Sequence, residues 1–206
     1  MILTDRLFTI DDEGWCRGAR RASCTNFDQR PDGTDISLLV VHNISLPPGE
    51  FGGNYVEDLF ANQLDCDAHP YFDQLRGLRV SAHFLIRRDG SVVQFVPTAA
   101  RAWHAGLSRF EGRERCNDFS IGIELEGSDF TDFCDAQYDS LARLAHALRR
   151  RHPISAVRGH EHVAPGRKTD PGPHFDWPRF HAALAALQTS DRNTLLGSQQ
   201  NLSFPL

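Results

Sequence analysis

Lysine is nearly absent from this chain of 206 residues. Of its 22 basic side chains, all but one are arginine, and the single lysine is Lys168. Arginine carries a planar guanidinium that is always charged, whereas lysine carries a compact ammonium group whose pKa changes readily on burial. A coding bias toward arginine accounts for the imbalance over the whole chain. It does not account for the position of the one lysine, so the surroundings of Lys168 are informative.

The sequence also lacks an excess of basic charge and a long apolar run. Its 27 acidic residues outnumber the 22 basic ones, and a net charge of -5 argues against a nucleic-acid-binding protein, which would carry a basic stripe. The longest apolar runs, such as residues 38–41, are far shorter than the ~20 residues that cross a membrane. We therefore expect no nucleic-acid partner, no membrane insertion and no obligate protein partner.

Paired cysteines and a secretion signal are missing too. The five cysteines are an odd number without a Cys-x-x-Cys pair, which indicates reduced thiols and not a disulfide framework. The first residues, from Met1 to Arg6, lack the basic stretch and following apolar stretch of a signal peptide. Both features predict a cytoplasmic protein.

The pattern of apolar residues predicts one α/β (α+β) domain, a single mixed β-sheet packed by helices. The predicted strands cover residues 36–41, 82–87, 91–96, 121–126 and 156–159, and the predicted helices cover residues 55–60, 135–151 and 175–187. Asp89-Gly90 between two apolar runs is a strong hairpin signal. Asp132 or Asp135 is expected to cap the long helix, and Pro153 to end it.

We expect the domain to occupy residues 1–187, with its core starting at about residue 12. Residues 188–206 form a polar tail whose composition favours disorder. Residues 46–77 contain Pro47-Pro48-Gly49 and Gly52-Gly53, and a mobile lid over the site is a hypothesis for this segment.

Two histidines stand where predicted strands end and loops begin, which is where ligands collect in open sheets. These are His42 and His160, and Asp170 follows ten residues after the second. Two imidazoles and one carboxylate leave a fourth position open, as in catalytic zinc sites. Spacing alone is weak support because His42 and His160 are 118 residues apart, and His162 competes as a ligand.

Two carboxylates, Glu124 and Glu126, lie on one face of a predicted strand. If that face lines a pocket, burial would raise the pKa of one of them and suit it to act as a general base. A solvated outer face is the alternative, since strands often alternate between core and water.

Several motifs occur together in a fixed order. They are Val40-Val41-His42-Asn43, Leu78-Arg79-Val80-Ser81-Ala82-His83, Ala102-Trp103-His104-Ala105-Gly106, the stretch from Asn117 to Glu124, and Gly159-His160 followed by Lys168-Thr169-Asp170-Pro171-Gly172. Together they closely resemble the zinc-dependent N-acetylmuramoyl-L-alanine amidases, and among these the cytosolic enzymes that recycle 1,6-anhydro muropeptides. The resemblance covers about residues 12–187.

The resemblance implies the fold of peptidoglycan recognition proteins and phage amidases, with Zn²⁺ held by His42, His160 and Asp170. It implies that His162 is not a ligand. Glu124 matches the general base of the family and Lys168 its catalytic cation. The positions that match substrate contacts are Asn43, Arg79, Trp103 and Arg115. The implied reaction is hydrolysis of the amide between the lactyl group of 1,6-anhydro-N-acetylmuramic acid and L-alanine, with a small anhydro-muropeptide as the substrate.

Three other functions compete with this one. A module of the same fold could bind muropeptide without cleaving it, but it would normally lack a ligand or a catalytic group. An amidase could act on intact peptidoglycan outside the cytosol, which the missing signal peptide opposes. A structural zinc protein would close the shell with a fourth ligand, for which His162 is the candidate.

Overall fold

The computed structural model of the chain describes residues 8–200, with side chains through residue 191. In chain order the strands are β1 (Thr9–Ile10), β2 (Cys16–Arg17), β3 (Arg20–Arg21), β4 (Phe27–Gln29), β5 (Leu38–Ile44), β6 (Phe84–Ile86), β7 (Val92–Gln94), β8 (Ala100–Ala102), β9 (Arg109–Phe110), β10 (Arg113–Glu114), β11 (Ser120–Glu126) and β12 (Ala156–Gly159). The helices are α1 (Tyr55–Phe60), α2 (Asp135–Arg151), α3 (His160–Val163) and α4 (Trp177–Gln200), and two 3-10 helices cover Pro70–Leu75 and Cys116–Asp118.

Six of the strands form one mixed sheet in the order β12-β5-β11-β6-β7-β3. The first four run parallel to one another, β7 is antiparallel to β6, and β3 is parallel to β7. The predicted mixed sheet is therefore confirmed. The hairpin around Asp89-Gly90 is confirmed as well, since Phe84 lies opposite Gln94 and Ile86 opposite Val92.

The two central strands, β5 and β11, are buried on both faces. Leu39 and Val41 on β5 pack with Ile121 and Ile123 on β11 in the core beneath α2 and α4. The alternate residues face the other side, where Val40 belongs to a small second cluster. All seven residues of β11 are buried, so the solvated outer face considered for this strand does not occur.

Helix α2 has the bounds predicted from its sequence, Asp135–Arg151. Its leucine stripe packs against the sheet, and each fully buried leucine contributes about 1.5–3 kcal/mol. The N-cap is Cys134 and not the expected Asp132 or Asp135. The backbone N–H of Cys134 donates a hydrogen bond to Oε1 of Gln137 at 3.0 Å, which satisfies a donor at the helix start.

Helix α4 corrects the prediction for the end of the chain. The helix was expected over residues 175–187 and a tail after it, but it begins at Trp177 and continues to Gln200. Polar composition does not end a helix without a proline or a cap, and no proline occurs between residues 179 and 204. Asp191 also ties this part of α4 to α2, with Oδ2 at 2.9 Å from Nε2 of His146. Residues 201–206 of the expected tail lie outside the described residues.

The face of the sheet opposite α2 and α4 is covered by short helices and loops. Helix α1 and the segment before β6 cover β6 and β7 through a third apolar cluster that includes Phe60, Phe72 and Leu85. The carboxyl ends of β5 and β11 lie beside this cover. Among the described residues, no helix combines the length and apolar character needed to cross a membrane.

Candidate metal centre and active-site cleft

The sheet register brings the predicted site residues to one edge. His42 on β5 is the register partner of Glu124 on β11. Gly159, the last residue of β12, is the partner of Val41, and His160 follows it as the first residue of α3. Parallel strands therefore place two imidazoles and a carboxyl side by side at their carboxyl ends, where open sheets bind ligands.

His42, His160 and Asp170 form a compact cluster. Nδ1 of His42 lies 2.8 Å from Oδ2 of Asp170 and 3.1 Å from Nδ1 of His160. Nδ1 of His160 lies 3.1 Å from the same carboxylate oxygen. The three donor atoms could hold one metal ion. The separation of 118 residues along the chain is thus closed by two adjacent strands.

The charge state of this cluster suits a cation. Burial is the main cause that lowers the pKa of His42, which favours the neutral ring. Burial opposes ionisation of Asp170, but hydrogen bonds with His160 and His42 outweigh it and hold the pKa of Asp170 well below its usual range. Neutral imidazole and ionised carboxylate are the forms that bind metal ions.

The outer nitrogens of both rings have partners as well. Nε2 of His160 lies 3.1 Å from the backbone oxygen of Ala105. Nε2 of His42 lies 3.0 Å from Nδ1 of His104. Each ring is therefore oriented from its far side, which is common for histidines that bind metals.

Glu124 is buried beside this cluster without a hydrogen-bond partner for Oε2. Burial and the negative charge of Asp170 raise the pKa of Glu124 well above its usual range, and only Lys168 opposes them. A buried carboxyl that lacks a hydrogen-bond partner destabilises the folded state, and such groups are typical of catalytic sites. The pocket-facing environment predicted for one of the two glutamates is found at Glu124.

Glu126, two residues further along β11, has a different environment. Its Oε1 accepts hydrogen bonds from the Gly52 backbone N–H at 2.7 Å and from Arg87 at 3.2 Å. Arg87 also donates to the backbone oxygens of Gly52 and Gly53, at 3.2 and 2.7 Å. These contacts tie the end of the rim loop, which we define as residues 46–53, to the sheet.

A cleft of about 870 Å³ opens above these groups. Its volume is in the range of small-molecule sites. Large apolar or aromatic side chains in its lining are Ile44, Leu46, Leu59, Phe60, Tyr71, Leu75, Leu78, Trp103 and Phe130. Lys168 and Arg167 line it beside the cluster, and both are exposed. The predicted residues Asn43, Glu124 and Lys168 thus share one cleft with the three candidate ligands.

The four predicted substrate contacts divide into two groups. Trp103 and Asn43 line the cleft. Nδ2 of Asn43 donates to Oδ1 of Asp129 at 2.7 Å, which leaves its amide oxygen for other contacts. Arg79 and Arg115 are exposed and are not part of the cleft lining. Arg115 forms an ion pair with Asp118, with its Nε 3.2 Å from Oδ2. The substrate-binding roles of Arg79 and Arg115 therefore stay predictions.

Two histidines complete the surroundings of the cluster. Nδ1 of His162 accepts a hydrogen bond from the Gly159 backbone N–H at 2.9 Å, and His162 does not join the three candidate ligands. Sequence reasoning did not single out His104, because its only signal is its place in the stretch 102–106 that contributes to the resemblance. The contact with His42 depends on packing across strands and has no local sequence pattern.

This arrangement defines a class of protein. A His-His-Asp cluster and an unpartnered carboxyl at the floor of one cleft can activate water against a carbonyl group. Residues 32–173, more than half of the chain, match the N-acetylmuramoyl-L-alanine amidase family, and the chain belongs to this family.

Particular members of the family are highly similar to the chain. The 1,6-anhydro-N-acetylmuramyl-L-alanine amidase AmpD of Citrobacter freundii is 60% identical over 175 residues, which cover 84% of this chain and 94% of the relative. A crystal structure of an AmpD derivative superposes with a TM-score of 0.83 at 58% identity and covers 85% of this chain and 99% of that chain.

A third match contains a bound substrate. It is the Escherichia coli amidase AmiD in complex with anhydro-N-acetylmuramic acid-L-Ala-D-γ-Glu-L-Lys, with 27% identity and a TM-score of 0.54 over 87% of this chain and 66% of that chain. The fold and family implied by the sequence motifs are confirmed by these matches.

Proposed function

We propose that this protein is a zinc-dependent amidase of the cytoplasm that cleaves the amide between the lactyl group of 1,6-anhydro-N-acetylmuramic acid and L-alanine. The observation that carries the proposal is the buried, unpartnered Glu124 beside the His42, His160 and Asp170 cluster in one cleft. The high identity to enzymes named for the 1,6-anhydro substrate supports the sugar preference.

Zinc fits the donor set. Two imidazole nitrogens and one carboxylate oxygen are ligands that zinc takes in catalytic sites. The donor atoms lie 2.8 to 3.1 Å apart, close enough for one ion with bonds of about 2.0–2.2 Å to reach all three. Other divalent transition metals bind the same donors, and their affinities for a given site rise from Mn²⁺ to Cu²⁺ and fall again at Zn²⁺. The donor set alone therefore does not select zinc, and the choice of zinc rests on the family resemblance. When bound, zinc supplies a Lewis acid that polarises a carbonyl and acidifies water.

Glu124 moves the proton. Its Oε2 has no protein partner and faces the cleft, so it is free to accept a proton from the attacking water. Its raised pKa favours holding that proton until the leaving amine of L-alanine takes it. One side chain thus acts first as the base and then as the acid.

Lys168 supports the developing negative charge on the carbonyl oxygen. Its ammonium group lines the cleft near Glu124 and His42, whose pKa values it lowers through its positive charge. A cation in this place stabilises the oxyanion, and loss of one such donor typically reduces the rate by ~10²–10³.

The walls of the cleft suit an amphipathic substrate. Trp103 offers an apolar surface to the sugar, and Asn43 retains an amide oxygen for the polar groups near the scissile bond. Arg79 and Arg115 lie outside the cleft lining, so we propose that they contact only the far carboxylates of the stem peptide. Bidentate hydrogen bonds from arginine suit carboxylates.

The competing functions have less support. Glu124 and Lys168 are both present in the cleft, which opposes a module that only binds. His162 donates no ligand to the cluster, which opposes a closed structural zinc site. All five cysteines are unpaired, which favours a reducing compartment over one outside the cell.

The decisive test offers two substrates to the zinc-loaded protein. We expect anhydro-muramyl-tripeptide to yield free tripeptide by mass spectrometry, and intact sacculi to yield far less. Glu124→Gln should retain zinc and lose at least ~10²-fold in kcat/KM. Glu126→Gln is the matched control on the same strand face and should remain much more active. Equal turnover by Glu124→Gln, or preference for sacculi, would contradict the proposal.

A further inference from the structure

His104 contacts the metal-site histidine His42 from the side away from the cluster. The two rings meet edge to face, with centroids 5.1 Å apart and planes at 82°. Nε2 of His42 lies 3.0 Å from Nδ1 of His104, within hydrogen-bond distance. In the described part of the chain, no other side chain lies within hydrogen-bond distance of the outer nitrogen of His42.

Metal binding through Nδ1 of His42 would fix where the protons of both rings lie. Nδ1 of His42 points into the cluster, so it must carry a lone pair to bind a metal, and the ring proton then sits on Nε2. In the metal-binding form of His42 that N–H would donate to Nδ1 of His104, and the proton of His104 would lie on its own Nε2. Nε2 of His104 lies 3.2 Å from Oγ of Ser120, which can accept it. Every donor in this series meets an acceptor.

The backbone of β11 is shaped to hold the ring of His104. The ring lies so close to Gly122 that a Cβ atom there would come within 2.4 Å of Cγ of His104. No side chain fits at position 122 without moving the ring. The absence of a side chain at Gly122 therefore creates the space that His104 occupies.

His104 also packs between other fixed groups. Its ring lies edge-on to His83, with centroids 5.8 Å apart. The backbone N–H groups of His104 and Ala105 both donate to Oδ1 of Asn117, at 3.2 and 2.8 Å. Since ring and backbone are both restrained, His104 offers its acceptor to His42 in one orientation.

We propose that His104 is a positioning residue that holds His42 in the tautomer and orientation required to bind the metal ion. The proposal rests on the metal site of the proposed function. His160 uses the backbone oxygen of Ala105 for the same purpose, so the two ligands are oriented by different means. The side chain that orients His42 can be substituted, whereas the Ala105 oxygen belongs to the backbone. Groups of this kind typically contribute 10- to 100-fold to metal affinity.

The test compares two side chains of the same shape at position 104. His104→Asn keeps an acceptor near the place of Nδ1, whereas His104→Leu has none. Zinc affinity is measured by competition with a chromophoric chelator, and the stability of each variant is checked by thermal unfolding in excess chelator. We expect ~10- to 100-fold weaker zinc binding for His104→Leu and a change of less than about threefold for His104→Asn.

Several outcomes would overturn the proposal. Wild-type affinity in His104→Leu would show that the contact does not support the site, and equally weak binding in a folded His104→Asn would show that the acceptor is not the cause. If wild-type protein binds no zinc, the metal site and this inference both fail. Wild-type binding with an unaffected His104→Leu refutes only the role of His104.

A second measurement needs no variant. In the zinc-loaded wild-type protein, imidazole ¹⁵N NMR should show a proton on Nε2 of His42 that exchanges slowly with water. A scalar coupling from that proton to Nδ1 of His104 would demonstrate the hydrogen bond. A His42 ring without an Nε2 proton, or without this coupling, would contradict the proposal even if His104→Leu does not fold.

Discussion

Lys168 shows how much one residue can reveal when its type is rare. The only lysine among 22 basic side chains stands in the wall of the cleft, two residues before Asp170. A bias toward arginine explains why lysine is missing elsewhere. A compact ammonium group can approach an oxyanion where a planar guanidinium does not fit, so we interpret the retained lysine as a catalytic requirement.

Lys168→Arg tests this interpretation. We expect a loss of ~10²-fold or more in kcat/KM, because the guanidinium cannot take the position of the ammonium group. Thermal unfolding and zinc content should match those of the wild type. Lys168→Met, which removes the charge, sets the scale of full loss, and a near-wild-type rate for Lys168→Arg would leave coding bias as the sole explanation.

At the residue scale, the three candidate ligands had a weak local signal, and the family resemblance strengthened it. His42, His160 and Asp170 follow strand ends or stand in a breaker-rich motif, and the family motifs assigned them together. The role of His104 and the hydrogen-bond partners of Asn43 could not be predicted from the sequence. Hydrogen bonds such as the one from Asn43 to Asp129 join residues that are 86 positions apart. Side-chain direction across strands has no sequence pattern of its own.

At the element scale, the predictions were correct where the apolar periodicity agreed with residues that begin or end a helix. Helix α2 has an apolar stripe and a proline beyond its last residue, and its bounds were predicted from them. For α4 the sequence predicts too early an end, because a polar composition after residue 187 does not by itself stop a helix. The four short strands before β5 were missed, since two- and three-residue strands are fixed by partners elsewhere in the chain.

His152, which follows α2, predicts a pH dependence of stability. Burial, with the positive charges of Arg151 and Arg30, lowers the pKa of His152 to about 4. His152 takes up a proton near pH 6.5 in the unfolded chain but only near pH 4 in the folded chain. The stability that comes from the neutral, buried ring is therefore complete above pH 6.5 and is lost as the pH falls to about 4.

His152→Gln should remove this dependence while its amide replaces the contact of Nε2 with Thr98, which is 2.9 Å in the wild type. Chemical unfolding at pH 7 and pH 4.5 measures it. The variant should lose less stability than the wild type over this interval, by about 1–2 kcal/mol after allowance for partial exposure. His181→Gln on α4 is the matched control, and an equal decline in the His152 variant and wild type would contradict the assignment.

At the scale of the whole molecule, the candidate ligands join distant parts of the chain. His42 comes from a central strand, His160 from the start of α3, and Asp170 from the loop that follows. A bound ion would therefore connect segments that are separate in the unfolded chain, and binding to the native state alone stabilises it.

Zinc should accordingly raise the unfolding temperature of the wild-type protein. At free zinc of about 1,000 times Kd the gain is about 4 kcal/mol. Calorimetry with zinc and with chelator measures it, and His42→Ala should show no such gain. An unchanged unfolding temperature in the wild type, or an equal rise in His42→Ala, would argue against the site.

The order of the whole sheet could not be derived from the sequence. Alternating strands and helices predicted a mixed sheet, and the family motifs predicted its fold. The order β12-β5-β11-β6-β7-β3 places the last strand beside the first long one. Such pairing depends on contacts between segments more than a hundred residues apart, which no local pattern encodes.

The attachment of the rim loop to Glu126 bears on how molecules enter. Arg87 and Glu126 hold both the N–H of Gly52 and the backbone oxygens of Gly52 and Gly53. Glu126 belongs to the strand that carries Glu124, so these hydrogen bonds join the rim of the cleft to its floor. We therefore expect residues 46–53 to keep their place when a molecule enters, which narrows the mobile-lid hypothesis from residues 46–77 to residues 54–77.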